Sequence, residues 1–342
     1  MFSIQSGNPG LDLAINFFIF IIGTAVLVKG SDLFIDSAAN LARRWGVSEL
    51  VIGLTLVSIG TSLPELVSSI YASIRREGSF IIGDIVGSNI TNISLILAIG
   101  IIGMGKMPFE KRVLTRDAAA MIIVTNVCIL LFSLPQQFAT KGCTGHGINF
   151  IGGIILLVLC SLYMTILFRE SRSPQDNEQE KREESEKRHI ILELVLLVIS
   201  GSMVILGSKG MVDPVVWGAQ RLGVSMLVIS STIVAFGTSV PELAVTLAGI
   251  FKKRHDIALG NILGSNIFNI LLIFGVSSCI SPLPMDGQRI GIVNLALMEV
   301  SAISLILFMM VGKNHLKRRH GFLLLFLYVL FMAANCASTL IR

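Results

Sequence analysis

The chain of 342 residues is 53% hydrophobic and only 14% charged, and its mean hydropathy is +0.79. Soluble domains carry about 25% charged residues, so this composition excludes an ordinary soluble protein and indicates a membrane protein. The net charge of +5 does not indicate nucleic-acid binding, because the basic residues lie between apolar runs, as juxtamembrane anchors do, rather than in one surface domain.

Ten apolar segments predict an all-α membrane protein with ten transmembrane helices, since a spanning helix needs about 20 mostly apolar residues. In chain order, the predicted helices 1 to 10 cover residues 12–40, 47–73, 80–104, 115–135, 147–168, 188–217, 224–250, 257–281, 289–312 and 320–340. The segment 169–187 is hydrophilic and predicts a linker. It divides the chain into two halves of five helices each, 1–168 and 188–342.

The basic residues predict the orientation of these helices. Most of them lie in the linker or at helix ends on its side of the membrane, among them Arg43, Arg44, Lys106, Lys111, Arg112, Arg116, Lys252, Lys253, Arg254, Lys317, Arg318 and Arg319. The positive-inside rule then places the linker in the cytoplasm and both termini outside the cell membrane. Because each half holds an odd number of helices, the two halves must insert in opposite directions, which predicts inverted repeats.

A polar signature occurs twice within the apolar segments. The first copy, residues 60–93, contains GTSLPEL and GDIVGSNITNI, and the second, residues 237–270, contains GTSVPEL and GNILGSNIFNI. All aligned positions are offset by 177 residues. The two copies place Glu65 and Glu242 at equivalent positions in hydrocarbon. A carboxylate there costs at least about 2.5 kcal/mol, so both are predicted functional residues, at an ion site between two repeats.

The prolines of the signature predict two broken helices. Pro64 and Pro241 have no amide hydrogen, so the carbonyl groups of Gly60 and Gly237 lose their helical partners. Irregular backbone at membrane depth is tolerated only where protein or a water-filled cavity covers it. The freed carbonyl oxygens are therefore predicted to line a cavity, as ligands for a hard cation.

The other polar side chains of the signature supply further oxygen atoms on the helical faces of the two glutamates. They are Thr61, Ser62, Ser88 and Asn92 in the first copy, and Thr238, Ser239, Ser265 and Asn269 in the second. A set of carboxylate, hydroxyl and amide oxygens without sulfur or imidazole suits calcium, magnesium, manganese or sodium rather than zinc or copper. For any single serine or asparagine, hydrogen bonding between helices stays the alternative.

Two further features of the signature carry structural expectations. The glycines of GDIVG and GNILG are expected to let helices 3 and 8 approach their neighbours closely. Asp84, whose aligned counterpart is Asn261, is expected to be a solvated carboxylate near the outer end of helix 3.

The paired motifs resemble the two alpha repeats of the cation/calcium exchanger superfamily, and most closely those of short prokaryotic sodium/calcium exchangers without a large cytosolic loop. The resemblance covers essentially the whole chain. It implies an antiporter, not an enzyme, that moves Ca²⁺ and Na⁺ without a cofactor and without a nucleic-acid partner. Helices 2, 3, 7 and 8 would surround a central site, and the long helices 1 and 6 would slide across that core to alternate access.

The resemblance also implies roles for single residues. Glu65 and Glu242 would share the calcium ion. The calcium and sodium positions would be lined by Thr61, Ser62, Ser88, Thr238, Ser239 and Ser265, by the carbonyl groups of Ser58 and Ala235, and by Asn92 and Asn269. Some family members carry an aspartate where this chain has Asn269, so only two formal negative charges are expected to face the ions here.

Three alternatives remain open at this point. Two facing glutamates also suit coupling to protons, which makes a proton/calcium antiporter the first alternative. A passive channel is the second, since coupling between ions is not encoded in residue types. An intramembrane hydrolase with two acids is the third, but the glutamates lie in symmetrical hydroxyl-rich motifs that contain no histidine.

Overall fold

The computed structural model describes residues 9–45, 47–76, 78–138, 143–171, 183–221, 235–285, 289–312 and 314–340. Over these residues the chain is almost entirely helical, which confirms the predicted all-α membrane fold. The helices are α1 (Pro9–Trp45), α2 (Glu49–Thr61 and Leu63–Ile74), α3 (Gly78–Thr91, continued by Asn92–Leu97 and Ala98–Met104), α4 (Val113–Ser133), α5 (Phe150–Ser171), α6 (Glu183–Arg221), α7 (Ala235–Thr238 and Val240–Phe251), α8 (His255–Ile280), α9 (Arg289–Val311) and α10 (Arg318–Leu340).

Most helices begin and end within a few residues of their predicted bounds. The first residues predicted for helix 7, 224–234, lie outside the described residues, as does the middle of the linker, 172–182. Helix α1 continues to Trp45 and α6 already begins at Glu183, because a helix can extend beyond the apolar run that crosses the membrane. Helix α5 begins only at Phe150. The predicted start at residue 147 is wrong because residues 143–148 form a strand.

The described residues contain five short strands that the hydropathy pattern did not predict, and two of their pairings connect the two halves. They are β1 (Lys106–Pro108), β2 (Pro135–Phe138), β3 (Cys143–Ile148), β4 (Leu283–Pro284) and β5 (His315–Lys317). Strand β1, which follows α3, pairs antiparallel with β5, which precedes α10. Strand β4, which follows α8, pairs with β3, which precedes α5. The two halves therefore exchange equivalent strand contacts, as expected of two related repeats.

Helices α3 and α8 occupy the centre of the molecule. In their most apolar windows, 83% and 94% of the residues are buried, against 22–39% in the other long helices of the described chain. The hydrophobic core around them is formed mainly by α4, α5, α9 and α10. This arrangement places both GSN motifs, which lie on α3 and α8, deep inside the protein.

Helices α1 and α6 form a separate layer, packed along each other and against the broken helices α2 and α7. Their own apolar cluster includes Leu27, Phe34 and Val204 with Val57 and Val240. The two helices approach most closely where α6 crosses α1: a Cβ atom on Gly207 would lie 2.5 Å from the backbone nitrogen of Leu27. This layer is therefore distinct from the main core.

Glycines bring α8 into backbone contact with α2. A Cβ atom on Gly264 would lie 2.2 Å from the Ser58 Oγ, and one on Gly260 would lie 2.8 Å from the Leu50 carbonyl oxygen. The predicted packing role of the glycines is thus confirmed on α8. On α3, a Cβ atom on Gly83 would meet no described atom within 4 Å. The part of α7 equivalent to the α2 segment that Gly260 contacts lies outside the described residues, so the packing role of Gly83 stays a prediction.

Candidate functional site

The two Ser-x-Pro-Glu segments break α2 and α7 in the same way. Ser62 (φ −85°, ψ 9°) and Ser239 (φ −87°, ψ 4°) leave the helical conformation, and Pro64 and Pro241 lie in the first turn of the helix that follows. Proline suits that turn because its missing amide hydrogen would have no helical partner there. The two parts of α2 meet at an angle of 47°. The predicted helix breaks are confirmed.

A second irregularity lies opposite these breaks. Both α3 and α8 change to π-helical geometry for six residues, at Asn92–Leu97 and at Asn269–Phe274. The two π-helical segments begin at aligned asparagines. Single π-helical turns within an α-helix are frequent at functional sites, because they redirect side chains and loosen the hydrogen-bond ladder. All four central helices are therefore distorted at the signature residues.

The two glutamates lie in the first turn after the breaks and are almost completely buried, Glu65 with 1% and Glu242 with 0% of its surface exposed. The Ser62 hydroxyl group donates a hydrogen bond of 2.8 Å to the Glu242 Oε1 atom, and the Ser265 Oγ lies 3.5 Å from the same atom. Residues from α2 and α8 therefore meet the carboxylate of α7, so the site is built from both repeats.

The equivalent contacts around Glu65 are not formed. Among the described residues, neither Glu65 carboxylate oxygen has a hydrogen-bond partner, and neither does the Ser239 hydroxyl group, which is the counterpart of Ser62. The Glu242 Oε2 atom is unpartnered as well. Three of the four glutamate oxygens are therefore buried without a donor, which is costly for a carboxylate unless a cation is bound.

The central asparagines add further unpartnered oxygen atoms. Asn92 is buried, and both polar atoms of its side chain lack a partner among the described residues. Asn269 donates a hydrogen bond of 3.0 Å to the Asn89 Oδ1 atom and keeps its own Oδ1 atom unpartnered. Buried amides normally pair with protein or water. These oxygens therefore have the character of ligands rather than of groups that link helices.

The threonines of the two GTS motifs reach across to the opposite repeat. Thr61 donates a hydrogen bond of 3.0 Å to the Asn261 Oδ1 atom of α8, and Thr238 donates one of 3.2 Å to the Asp84 Oδ1 atom of α3. The Ser88 Oγ lies 3.5 Å from the Thr238 Oγ1. Asp84 is only 5% exposed, so the expectation of a solvated carboxylate is wrong. The helix end that hydropathy predicts as outer is covered by α7.

The backbone oxygens that the sequence singled out have different surroundings. The Ser58 carbonyl group accepts hydrogen bonds from the Ser62 amide at 3.0 Å and the Thr61 hydroxyl at 3.3 Å. The Ser239 amide instead donates to the Phe236 carbonyl at 3.1 Å, one residue closer in sequence. Ala235 lies at the start of the described part of α7.

Three buried asparagines of the site were not singled out from the sequence. Asn261 donates to the Thr246 hydroxyl at 3.1 Å and accepts from Thr61. Asn89 donates to the Asn266 carbonyl group at 3.2 Å and accepts from Asn269. Asn89 and Asn266 are themselves part of the repeated GSN motif, so their repetition was the available signal. They connect α3 to α8, and Asn89 holds Asn269 in position.

The described residues thus bring together two carboxylates, two amides and several hydroxyl groups on four distorted helices. Among them, no group of three or more His, Cys, Asp or Glu side chains is placed to hold a metal ion. The unpartnered oxygens instead suit a hard cation bound by mixed carboxylate, amide and hydroxyl ligands. A buried cation site between two repeats, on discontinuous helices, defines the class of secondary membrane transporters.

Comparisons with known proteins identify the family within this class. The family model described as sodium/calcium exchanger protein matches residues 15–169 and 192–337. The chain is 33% identical to the sodium/calcium exchanger MaX1 of Methanosarcina acetivorans over 94% of this chain and 98% of that protein. It is 32% identical to the inner membrane protein YrbG of Escherichia coli over 78% of this chain and 81% of that protein.

Solved structures agree with this assignment. The sodium–calcium exchanger NCX_Mj, in a structure soaked with 10 mM Na⁺ and zero Ca²⁺, matches with a TM-score of 0.79 and 30% identity over 94% of this chain and 99% of that chain. The chain therefore belongs to the sodium/calcium exchanger family. It is a multi-pass membrane transporter, not an enzyme, and its activity is cation/calcium antiport. The ten-helix inverted-repeat fold and the resemblance inferred from the two motifs are confirmed.

Proposed function

We propose that this protein exchanges sodium for calcium by alternating access at the site between its two repeats. The pair Glu65 and Glu242 is the observation that carries the proposal. The two glutamates lie at aligned positions and are buried, and three of their four carboxylate oxygens have no hydrogen-bond partner among the described residues. Loading either ion type onto the same carboxylates excludes the other. Moving the carboxylate pair through a dry region without a bound cation costs free energy. The protein therefore changes between its two access states with ions bound.

The proposed ligands are the carboxylates of Glu65 and Glu242, the hydroxyl groups and amides around them, and two backbone carbonyl groups. The full set is Glu65, Glu242, Thr61, Ser62, Thr238, Ser239, Ser88, Ser265, Asn92, Asn269, Ser58 and Ala235. The unpartnered atoms of Asn92, Asn269 and Ser239 support this assignment most directly. The Ser58 carbonyl already accepts two hydrogen bonds, so an ion there would compete with the Thr61 hydroxyl group.

Movement of α1 and α6 relative to the core is proposed as the step that alternates access. The separate apolar cluster of these helices supports it, because a layer with its own packing can shift without disturbing the main core. We further propose that residues 1–168 and 188–342 are the two repeat halves and that the linker 169–187 lies in the cytoplasm. Both termini then lie outside the cell membrane.

The experiment is calcium uptake into proteoliposomes that contain the purified protein. Vesicles loaded with sodium and diluted into sodium-free medium should accumulate calcium, and vesicles with equal sodium on both sides should not. Glu242→Gln serves as the site-defective control. Accumulation driven by a pH gradient in the absence of sodium would establish proton coupling instead. Calcium entry that no gradient of sodium or protons changes would identify a channel and overturn the proposal.

A further inference from the structure

Asp84 is a buried carboxylate that the two-glutamate site does not use. It lies on α3 with 5% of its surface exposed. Its Oδ1 atom accepts the hydrogen bond of 3.2 Å from Thr238, and the Ser68 hydroxyl group also interacts with the carboxylate. Its Oδ2 atom makes no hydrogen bond of normal geometry among the described residues. A carboxylate at membrane depth with an unpartnered oxygen is costly, and such residues usually mark an ion pathway or site.

The surroundings of Asp84 are rich in oxygen. Ser88 lies one helical turn further along α3, and its Oγ is 3.5 Å from the Thr238 Oγ1. Thr238 belongs to the broken segment of α7, so the cluster joins α3 to the break itself. Asp84 also lies close enough to Glu65 for the two carboxylates to repel each other, a cost that a cation bound beside them would reduce. One carboxylate and two hydroxyl groups are the ligand type that a hard monovalent cation such as sodium accepts.

The equivalent position in the other repeat shows that the fold does not need the charge. Asn261 accepts the same type of hydrogen bond from Thr61 at 3.0 Å, and its amide nitrogen donates to the Thr246 hydroxyl at 3.1 Å. An amide therefore satisfies this position fully and without charge. At position 84 the chain instead buries a carboxylate with one oxygen that makes no hydrogen bond to the described residues, and burying such a charge is costly unless a cation offsets it.

We propose that Asp84, Ser88 and Thr238 form a sodium subsite beside the centre that Glu65 and Glu242 form. The three carboxylates do not converge on one point, since no three acidic side chains of the described residues are placed to hold one metal ion. Asp84 therefore serves a neighbouring position rather than the calcium centre. This inference rests on the proposed sodium/calcium exchange and adds a third negative charge to the site that sodium would load.

The subsite changes the charge balance of the two loaded forms. The pair Glu65 and Glu242 matches the charge of one calcium ion or two sodium ions. With Asp84, the buried groups carry three formal negative charges, which three sodium ions neutralise and one calcium ion does not. Sodium binding should therefore depend on Asp84 while calcium binding does not.

The test compares wild type with Asp84→Asn, which copies the amide of Asn261. Purified full-length protein is titrated with sodium and, separately, with calcium, and its thermal unfolding is followed, because a cation that binds the folded state raises its stability. The same proteins are reconstituted for sodium-driven calcium uptake. Since a Hill coefficient cannot exceed the number of coupled sites, loss of the subsite in Asp84→Asn should lower the sodium Hill coefficient. The calcium titration should be unchanged.

The matched control is Glu299→Gln, which neutralises a carboxylate of α9 that accepts a hydrogen bond of 2.9 Å from Asn126, away from the signature residues. It should behave as wild type in all measurements. An Asp84→Asn protein with wild-type sodium steepness would overturn the subsite. Loss of calcium stabilisation together with that of sodium would also overturn it, because Asp84 would then belong to the calcium centre.

If Asp84→Asn does not fold, Asp84→Ser takes its place, since serine keeps an acceptor for the Thr238 hydroxyl group. If wild type shows no sodium-driven uptake, the proposed exchange fails, whereas the sodium titration of unfolding still decides on the subsite. The failures of the two proposals are therefore distinguishable.

Discussion

At the scale of single residues, the two repeats carry the same motif but do not make the same contacts. Glu242 accepts a hydrogen bond from Ser62, whereas Glu65 and Ser239 have no such partner among the described residues. Under the proposed alternating access, the two repeats are expected to exchange such contacts. In the other form, the Ser239 hydroxyl group would then donate to Glu65, as Ser62 donates to Glu242 here.

The glutamates are predicted to be required for calcium transport. Glu65→Gln and Glu242→Gln each remove a charge from the centre and should lose most sodium-driven calcium uptake. Both proteins should still insert and fold, because a neutral amide in hydrocarbon is no worse than a carboxylate, and a glutamine at 242 keeps an acceptor for Ser62. Uptake is measured in proteoliposomes and folding by size-exclusion profile. Near-normal uptake in either variant would exclude these residues from the centre.

Replacing Asn92 is predicted to weaken calcium binding without lowering the stability of the ion-free protein. Its unpartnered amide costs about 1–3 kcal/mol when no ion is bound, so Asn92→Ala should leave the ion-free protein as stable as wild type or more stable. It should strongly reduce the stabilisation by calcium. Asn266→Ala is the contrast, because Asn266 donates a hydrogen bond of 2.7 Å to the Ile262 carbonyl and should be needed for stability. Thermal unfolding with and without calcium decides; unchanged calcium stabilisation in Asn92→Ala would remove Asn92 from the site.

At the scale of helices, two glycines of the repeated motif allow close packing between α8 and α2. Helix α8 touches the backbone of α2 through Gly260 and Gly264. The sequence presents Gly83 on α3 as the equivalent of Gly260. The part of α7 that would correspond to the contacted segment of α2 lies outside the described residues, so the packing of Gly83 stays a prediction from the motif.

Glycine substitutions at a packed and at an exposed position should therefore differ in effect. In Gly260→Ala the new Cβ atom would lie 2.8 Å from the Leu50 carbonyl oxygen and 2.9 Å from the Leu54 backbone nitrogen. Because backbone atoms must move, the free energy of unfolding should fall by about 1–3 kcal/mol. Gly103→Ala, at an exposed position of α3 where a Cβ atom would meet no described atom within 4 Å, should be neutral or raise the free energy of unfolding by about 0.4–1 kcal/mol. The midpoints of thermal unfolding in detergent test this; equal effects of the two substitutions would contradict it.

At the scale of the whole molecule, the two halves are joined by the central site and by strands at both ends. Strand β1 of the first half pairs with β5 of the second, and β4 of the second half pairs with β3 of the first. These contacts tie the ends of α3 and α8 to the helices of the opposite half. The strand pairings of the described residues do not involve α1 or α6, which fits the proposed movement of these two helices.

The predicted topology is tested by labelling single cysteines in a cysteine-free background. Ser173→Cys in the linker and Gln5→Cys near the amino terminus both lie outside the described residues. By the positive-inside rule, an impermeant maleimide added to intact cells should label position 5 and leave position 173 unlabelled until the cells are opened. Labelling of both positions from outside would contradict five spans in the first half.

The sequence alone determined the class of protein, the number of helices and the positions of the breaks. These follow from local physics: apolar runs of membrane length, prolines without an amide hydrogen, and a motif repeated at a constant offset. The acidic and hydroxyl side chains could be identified for the same reason, since polar residues within a long apolar run are recognisable from the sequence alone.

Only the tertiary structure decided which of these groups meet and which remain unpartnered. The burial of Asp84 depends on α7 covering the end of α3, and the bond from Thr61 to Asn261 joins residues from opposite repeats. The short strands escaped prediction because two to six residues gain their stability from partner strands rather than from their own pattern, and in the pairs β1–β5 and β3–β4 the partner lies in the other half. The difference in hydrogen bonding between the two copies of the motif also arises from packing, because identical side chains have different partners when different residues surround them.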